Sequence, residues 1–307
     1  MTRIACIVNP CSGNGRTGKK WPQIERALKQ HLGDPRAYMT EGPRHATELA
    51  RRALDDGADL VISVGGDGTN NEVLNGLFDQ GRPVNPAAAM TVIPGGTGGD
   101  FARFLKISKD PDVCAKRFAE SKPRVIDVGK LTCVDQVGKT VSHMFLNIAS
   151  FGIGGEVDAR VNRTTKMFGG FASFLWSTAI VTFTYKNRPM RIQVDDILDE
   201  ERVLQQVSVA NGQYFGGGMW IAPDAVLDDG LFDIIISGDF SIGEMLKSGQ
   251  DLYKGKHIHH PKTKVLRGAR ITATSEEVTL IDMDGEQPGR LPITLEVVPR
   301  AFPFLGA

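Results

Sequence analysis

Three short apolar stretches, each running into a glycine-rich loop, limit the folds that this chain can adopt. They are IACIV (4–8), DLVISV (59–64) and MTVIP (90–94). Their β-branched residues are typical of buried strands, and helical patterns separate them near residues 18–31, 44–55 and 70–78. Strands that alternate with helices predict a parallel sheet covered on both faces. In such sheets a ligand binds at the carboxyl ends of the strands, where the glycine loops fall.

After about residue 125 the pattern changes to consecutive strands with few helices between them. Strand-like segments include VIDVGKLTC, HMFLNIAS, VLQQVSVAN, LFDIIIS and PITLEVV, and only residues 156–185 and about 241–254 are helical in pattern. Mostly antiparallel strands in sequence predict a β-sandwich. We therefore expect an α/β domain over residues 1–126, a β-rich domain over residues 127–296 and a cleft between them. Residues of about 297–307 are expected to pack back on the first domain.

The composition argues against several classes of protein. Lys+Arg and Asp+Glu both number 36 among 307 residues, so no net charge attracts the chain to nucleic acid. The four cysteines are scattered without a CxxC pair, which favours a reduced, cytoplasmic compartment. MTRIACIVNP is a strand entering a loop and no signal peptide. The apolar run 171–185 is short for a spanning helix, so a buried helix is favoured over a lipid- or partner-facing surface.

The first glycine loop, NPCSGNGRTGKK (9–20), matches two phosphate-binding motifs at once. Gly13, Gly15 and Gly18 fit the dinucleotide fingerprint G-x-G-x-x-G, and the same string fits a Walker A loop with Lys20 in place of Ser/Thr. Neither match is therefore specific. Glycine-rich turns at a helix N-terminus bind anions, most often phosphate. The alternative is a tight polar turn that needs glycine for its dihedral angles.

Two further glycine loops follow the next two strands. They are GGDGT (65–69) and PGGTGGDFA (94–102). A dinucleotide-binding domain needs only one such loop and an acid for the ribose. Three loops with a central acid suit a polyphosphate, its metal ion and a phosphoryl group in transfer.

Several motifs together resemble the diacylglycerol-kinase catalytic family, which includes bacterial soluble lipid kinases, sphingosine kinases and ceramide kinases. They are NPCSGNGR, VGGDGTNNEVLNGL, IPGGTGGDFAR, GGGMWIAPDAVLDDGLFDI and DMDGEQ, in family order between positions 9 and 286. GGDGT also occurs in NAD kinases and resembles a loop of phosphofructokinases, whereas APDAVLDDGLFD points to the lipid branch. One departure is Gly99, which stands where bacterial relatives often have asparagine.

The resemblance implies an ATP- and Mg²⁺-dependent lipid kinase that phosphorylates a hydroxyl of diacylglycerol or a similar lipid. The first domain would be phosphofructokinase- and NAD-kinase-like and bind nucleotide, and the second would bind lipid. We expect a cytoplasmic protein that contacts the membrane transiently and peripherally, with no nucleic-acid partner and a homodimer as one possible assembly. Two alternatives stay open: an NAD-kinase-like kinase of a soluble acceptor, and a non-catalytic lipid- or nucleotide-binding protein.

The resemblance also implies roles for the residues of the loops. The expected nucleotide-binding residues are Asn9, Pro10, Ser12, Gly13, Thr40, Gly65, Gly66, Gly68, Thr69, Asn70, Glu72, Gly96 and Thr97. Thr40 has the alternative role of an ST-turn or helix cap before residues 44–55. Phosphates repel an acid unless a cation lies between them, so Asp67 is expected to engage Mg²⁺. Its alternative role is to cap the following helix.

Two acidic turns downstream complete the expected site. Glu286 matches the D-G-E motif of the family and is the expected general base for the lipid hydroxyl, with Asp67 as the second candidate. Without the resemblance, DGE would be a hairpin turn. Asp229, with the carbonyls of Val226 and Leu231, is expected to bind a structural Mg²⁺, as in bacterial relatives. A plain Asp-Gly turn is the alternative there.

Overall fold

The structure is a computed structural model that describes residues 2–95, 99–164 and 170–307, without the side chains of residues 162–164 and 170–175. It divides into two compact units. Unit 1 comprises Met1–Asp127 and Arg300–Ala307, and unit 2 comprises Val128–Pro299.

Unit 1 alternates strands with helices along the chain. Its strands are β1 (Ile4–Val8), β2 (Arg36–Met39), β3 (Leu60–Gly65), β4 (Phe78–Asp79), β5 (Arg82–Pro83) and β6 (Ala89–Pro94). Its helices are α1 (Arg16–His31), α2 (His45–Asp55), α3 (Asp67–Leu77), α4 (Asp100–Phe104) and α5 (Pro111–Glu120). The three predicted strands and the three predicted helices are present. The sequence patterns missed β2, whose residues are mostly exposed, the two-residue strands β4 and β5, and the helices α4 and α5.

A parallel sheet with the order β6–β3–β1–β2 forms the core of unit 1. Every residue of β1 and β3 is buried, because α1, α2 and α3 pack against these strands. The chain returns to this sheet at its end. Phe304 pairs in parallel with Met90 of β6, and the Leu305 backbone N–H donates to the Met90 carbonyl at 2.8 Å. The predicted parallel α/β class is confirmed.

Unit 2 consists mainly of strands. They are β7 (Arg124–Val134), β8 (Thr140–Phe145), β9 (Ile148–Gly152), β10 (Arg188–Val194), β11 (Leu198–Leu204), β12 (Gln206–Ala210), β13 (Tyr214–Phe215), β14 (Met219–Trp220), β15 (Phe232–Ser237), β16 (Thr263–Gly268), β17 (Arg270–Thr274), β18 (Ile281–Met283) and β19 (Arg290–Phe304). Its helices are α6 (Ile153–Thr164), α7 (Gly170–Thr184) and α8 (Ile242–Tyr253). The predicted helical segment 156–185 is therefore two helices, and residues 165–169 between them lie outside the described part.

Two sheets enclose the core of unit 2. One has the order β11–β10–β17–β19, with β7 pairing to β19 and β8, and the other has the order β16–β15–β12–β9–β18. The pairs β10–β11, β10–β17, β12–β15 and β9–β12 are all antiparallel. Phe145 of β8 stacks on Phe232 of β15 with ring centroids 5.6 Å apart, inside one buried apolar cluster. The predicted antiparallel sandwich is confirmed.

Candidate functional site

The carboxyl ends of β1, β3 and β6 bring the three glycine loops of unit 1 together. These strands are neighbours in the parallel sheet, and Gly95 N–H at the end of β6 donates to the Gly65 carbonyl at 2.7 Å. The sequence predicted this meeting from the alternation of strand and helix alone. We call the described residues of the three loops, 9–15, 65–69, 94–95 and 99–100, the glycine-loop site.

Asn9 organises the first loop and joins it to the second. Its Oδ1 accepts from the backbone N–H groups of Cys11 and Ser12, at 3.1 and 3.2 Å. Its Nδ2 donates to Thr69 Oγ1 at 3.0 Å. The loop is closed at its other end by Gly18 N–H, which donates to the Pro10 carbonyl at 3.1 Å. An amide that accepts and donates at once explains why asparagine suits this position.

Gly13 lies where the first and third loops come closest. Its φ of 61° is left-handed, and a Cβ built on it would lie 2.5 Å from the Gly95 carbonyl oxygen. Ser12 Oγ lies 2.5 Å from the buried Thr17 hydroxyl, which fixes the loop against the first turn of α1. Glycine is therefore required at position 13 both for backbone conformation and for space.

Several backbone donors of the glycine-loop site have no acceptor among the described residues. They are the N–H groups of Gly13, Asn14, Asp67, Gly68 and Thr69. The last three form the first turn of α3, whose N-cap residue Gly66 has an extended backbone and no capping side chain. Uncapped N–H groups at a helix start favour phosphate oxygens. The predicted roles of Gly13, Gly68 and Thr69 stay predictions, and this arrangement would assign them to backbone N–H groups rather than to side chains.

Asp67 binds the third loop instead of capping its own helix. Its Oδ2 accepts from the backbone N–H groups of Gly99 and Asp100, at 2.9 and 3.2 Å. The cap alternative is therefore wrong, since α3 begins at Asp67 with Gly66 as its N-cap. Its Oδ1 is buried, and no described residue donates to it. Burial raises the pKa of this carboxyl, whereas hydrogen bonds from the backbone of Asp100, Gly99 and Phe101 act to lower it.

The oxygen Asp67 Oδ1 is the atom of the glycine-loop site that fits a magnesium ion. It is a hard anionic ligand without a described donor, close to N–H groups that suit phosphate. Because Oδ2 is occupied by the third loop, only Oδ1 is left for this role. The residue as a whole is only partly buried.

Gly99 adopts the left-handed conformation, with φ 73° and ψ 42°. Glycine and asparagine are the residues that tolerate this region best. The departure from the asparagine common in relatives thus keeps the backbone bond to Asp67 while removing a side-chain amide.

Among the remaining predicted nucleotide residues, Asn70 and Glu72 form hydrogen bonds with other protein groups. Ser63 Oγ donates to Asn70 Oδ1 at 2.7 Å, and both residues are buried. Glu72 accepts from the backbone N–H groups of Arg44 and Ala46 at 2.9 and 3.1 Å, which caps helix α2 from outside. Thr40 is buried beyond β2, and α2 has Arg44 rather than Thr40 as its N-cap residue. Gly96 and Thr97 lie outside the described residues.

The D-G-E turn of unit 2 presents Glu286 on a fixed backbone. Asp284 is buried and accepts from the backbone N–H groups of residues 146–148, at 2.9, 3.1 and 3.1 Å. Gly285 N–H donates to Asp282 Oδ1 at 3.0 Å. Glu286 is exposed, and its backbone pairs with that of Met283 in both directions. Two carboxylates thus hold the turn, and the third faces solvent.

The buried Asp282 and the half-buried Asp158 form a carboxyl pair behind Glu286 that the sequence did not reveal. Their side chains are hydrogen-bonded to each other, and Ser150 Oγ donates to Asp282 Oδ2 at 3.3 Å. Burial raises the pKa of both carboxyls, and the bond to Asp158 raises that of Asp282 further. The charge of Glu286 also raises the pKa of Asp158. A buried carboxyl beside a second carboxyl favours a proton shared between the two. Asp282, Asp284 and Glu286 occupy alternate positions along a strand and its turn. This spacing is the sequence pattern from which a role for Asp282 could have been predicted.

The predicted metal site at Asp229, built from one carboxylate and two main-chain carbonyls, stays a prediction. Asp229 Oδ1 accepts from Leu231 N–H at 3.1 Å, and its Oδ2 forms an ion pair with Arg267. Val226 is exposed. Within the described residues, no three His, Cys, Asp or Glu side chains are grouped to hold a metal. In this structure the Arg267 guanidinium is the cationic partner of Asp229.

Two family descriptions match the chain, one in each part. The description "Diacylglycerol kinase catalytic domain" matches residues 3–131, and "YegS C-terminal NAD kinase beta sandwich-like domain" matches residues 147–306. A diacylglycerol kinase of Staphylococcus saprophyticus is 31% identical over 292 residues, which are 94% of this chain and 90% of that protein. One of Bacillus subtilis is 29% identical over 297 residues, 95% of this chain and 92% of that protein.

Solved structures share the fold along nearly the whole chain. A crystal structure from Bacillus anthracis described as a diacylglycerol kinase has a TM-score of 0.77 at 26% identity and covers 99% of this chain and 97% of that one. An NAD kinase from Archaeoglobus fulgidus, in complex with ATP, has a TM-score of 0.50 at 18% identity, covering 98% and 93%, and shares the fold alone. A parallel α/β unit with three glycine loops, followed by an antiparallel sandwich, defines this class of kinases. The chain belongs to the diacylglycerol kinase family.

No helix in the described residues is long and apolar enough to cross a bilayer.

Proposed function

We propose that this protein is an ATP- and Mg²⁺-dependent lipid kinase that phosphorylates a hydroxyl of diacylglycerol or a similar lipid. The observation that carries the proposal is the different burial of the three acids in and next to the D-G-E turn. Asp282 and Asp284 are buried and bonded to backbone, whereas Glu286 faces solvent on the rigid turn that they hold. To accept the proton of an alcohol, a carboxylate must be accessible and held in position. Family membership supports the proposal that the nucleotide binds at the glycine-loop site.

The residues of unit 1 would bind and orient ATP. The N–H groups of Gly13, Asn14 and the first turn of α3 suit phosphate oxygens, and Asn9 keeps the first two loops in register. Asp67 Oδ1 would hold magnesium, which would supply positive charge to offset the charge of the phosphates. Asp67 Oδ2 meanwhile fixes the third loop through Gly99 and Asp100.

The chemical step needs one proton acceptor. Glu286 takes the proton of the lipid hydroxyl, the hydroxyl oxygen forms a bond to the γ-phosphorus, and the bond from that phosphorus to the bridging oxygen breaks as ADP leaves. Asp67 is less suited to this role, because its Oδ2 is already bonded to the third loop.

The test is transfer of radiolabelled γ-phosphate from ATP, with Mg²⁺, to a panel of lipids in mixed micelles. Glu286→Gln should lower kcat by about 100-fold or more, the usual size of a general-base contribution, with KM for ATP unchanged. The control is Glu276→Gln, the same change at another exposed acid of unit 2, which should leave kcat unchanged.

Three results would contradict the proposal. Equal kcat for the Glu286→Gln variant and the wild type would remove Glu286 as the base. Label on NAD or another soluble acceptor, with none on lipid, would indicate an NAD-kinase-like activity. ATP binding without transfer to any acceptor would favour a non-catalytic binding protein.

A further inference from the structure

Three polar side chains form a buried row on one face of the strands β12, β9 and β18. Ser208 and Asp282 are both direct cross-strand partners of Ser150, and all three residues are buried. Their neighbours along the strands, such as Phe151 and Ile281, belong to the apolar cluster between the two sheets. The polar row therefore lies on the opposite face, next to helix α6, which contacts β9 and β18.

Helix α6 packs closely on this polar face and brings Asp158 to Asp282. A Cβ built on Gly155 would collide with the Leu280 carbonyl group, so glycine is required for the close approach. Asp158 lies one turn further along the same side of α6, and its carboxyl group is hydrogen-bonded to that of Asp282. Asp158 Oδ2 is buried and has no N–H or hydroxyl donor among the described residues, which a proton shared with Asp282 would supply.

The carboxyl pair is fixed to the turn that carries Glu286. Gly285 N–H donates to Asp282 Oδ1 at 3.0 Å, and Ser150 Oγ of β9 donates to Asp282 Oδ2 at 3.3 Å. The Glu286 backbone pairs with that of Met283, the residue after Asp282. Both oxygens of Asp282 are thus held, one by the turn and one by the neighbouring strand.

The pair carries negative charge close to Glu286. Burial raises the pKa of both carboxyl groups, which favours one shared proton and hence one negative charge on the pair. The charge of Glu286 raises the pKa of Asp158. Because repulsion between like charges is mutual, the charge of the pair also opposes the loss of a proton from Glu286.

Other titratable groups lie on the elements around the pair. They are Glu156 and Arg160 of α6, Arg188 of β10, Asp284 of the turn, Asp135 of the β7–β8 turn and Arg290 of β19. Glu156 is paired with Arg188 at 3.0 Å, and Asp284 and Asp135 accept backbone hydrogen bonds. Arg160 follows Asp158 by two residues, a spacing at which helical side chains do not face each other. Among the described residues, no basic side chain forms an ion pair with either member of the pair.

We propose that Asp158 and Asp282 are positioning residues that hold one negative charge behind Glu286 and thereby make it a stronger proton acceptor. A carboxylate is a weak base at neutral pH, and a like charge beside it increases its affinity for a proton. The same pair holds the turn through Gly285, so it fixes the place of the base as well as its strength. The inference rests on the proposed function, in which Glu286 accepts the proton of the lipid hydroxyl.

The shared proton makes the single and double variants differ in charge. Asp158→Asn or Asp282→Asn alone leaves one carboxylate, so one negative charge stays behind Glu286. Asp158→Asn/Asp282→Asn removes that charge and keeps the size of both side chains. In the double variant, the acid limb of the kcat–pH profile on micellar diacylglycerol should move to lower pH by about one unit. In each single variant it should move by less than about 0.3 unit, because the charge is retained.

Carbon-13 NMR of the carboxyl groups tests the pair without any need for turnover. In protein labelled at the glutamate Cδ, the Glu286 signal is identified by its loss in Glu286→Gln. Its titration midpoint should move to lower pH in the double variant, as the kinetic limb does. Glu276→Gln removes one negative charge from an exposed position of unit 2 and should leave both midpoints in place. Asp158→Ser/Asp282→Asn is a second neutral variant, for use if the double asparagine variant does not fold.

The outcomes separate this inference from the proposed function. Equal Glu286 midpoints in the wild type and a folded neutral variant would overturn the inference, whether or not the protein phosphorylates a lipid. A higher KM for the lipid in the double variant, with an unchanged pH profile, would also overturn it and place the pair in the lipid site. A shifted Glu286 midpoint in a protein that phosphorylates no acceptor would keep the electrostatic effect of the pair and refute the proposed function.

Discussion

Replacing Gly13 by alanine tests whether the first and third glycine loops must touch for ATP to bind. Gly13 has φ 61°, and the new Cβ would lie 2.5 Å from the Gly95 carbonyl oxygen. Real Cβ atoms essentially never approach a neighbour within 3.0 Å, so one loop must move by at least about 0.5 Å. Gly33 offers a matched control, because it has φ 107° and no atom within 4 Å of its built Cβ.

Both variants place a side chain on a left-handed backbone, and only Gly13→Ala also displaces a loop. A non-glycine residue in the left-handed region costs about 1–2 kcal/mol, partly offset by the reduced freedom of the unfolded chain. Gly33→Ala should therefore lower Tm by a few degrees, on the order of 2–4 °C per kcal/mol for a protein of this size. Gly13→Ala adds the displaced loop, and we expect its ATP Kd to rise at least about tenfold, equivalent to about 1.4 kcal/mol.

Isothermal titration calorimetry with ATP and Mg²⁺, beside thermal unfolding, gives both quantities for each variant. Unchanged ATP affinity in Gly13→Ala, at a Tm loss equal to that of Gly33→Ala, would refute the reasoning. It would mean that the phosphate-binding groups do not depend on the contact between Gly13 and Gly95.

Two further predictions concern charges that the structure buries or engages. The Asp158–Asp282 pair has raised pKa values, so the folded state keeps a proton that the unfolded chain releases above about pH 4. The free energy of unfolding should therefore fall as pH rises above about 4. Asp282→Asn should flatten this pH dependence, as measured by urea titrations. An equal pH dependence in the variant and the wild type would contradict the shared proton. Glu72→Gln weakens the external cap of α2 and should cost about 1 kcal/mol, whereas Glu48→Gln on the exposed side of α2 should cost little. A loss of ATP affinity in Glu72→Gln beyond this loss of stability would restore the predicted nucleotide contact.

The periodicity of the chain determined the fold class. Residues 4–8, 59–64 and 90–94 are short, largely apolar runs that end at Asn, Gly or Pro, a pattern typical of strands buried on both faces. Alternating runs after residue 125 gave the antiparallel unit in the same way. Residues 36–39 were missed because this strand lies at the sheet edge, where exposure removes the apolar signal.

The residue types of the site were also readable in the sequence, but their partners were not. Asp67 was visible as an acid between glycines, yet its bonds to Gly99 and Asp100 depend on the adjacency of β3 and β6. Glu72 is predicted to lie at the nucleotide, which stays a prediction, and the structure shows that it caps a helix from a different part of the chain.

Sequence by itself determined which local elements form and which residues can bind phosphate or accept a proton, because periodicity and side-chain chemistry are local properties. Only the tertiary structure decided which acids are buried together and which face solvent. Asp282, Asp284 and Glu286 lie within five residues, yet the first two are buried and the third is exposed. Helix α6 brings Asp158 to Asp282, and the backbone of residues 146–148 holds Asp284. Burial and hydrogen-bond partners come from segments more than 100 residues apart, and no local pattern encodes them.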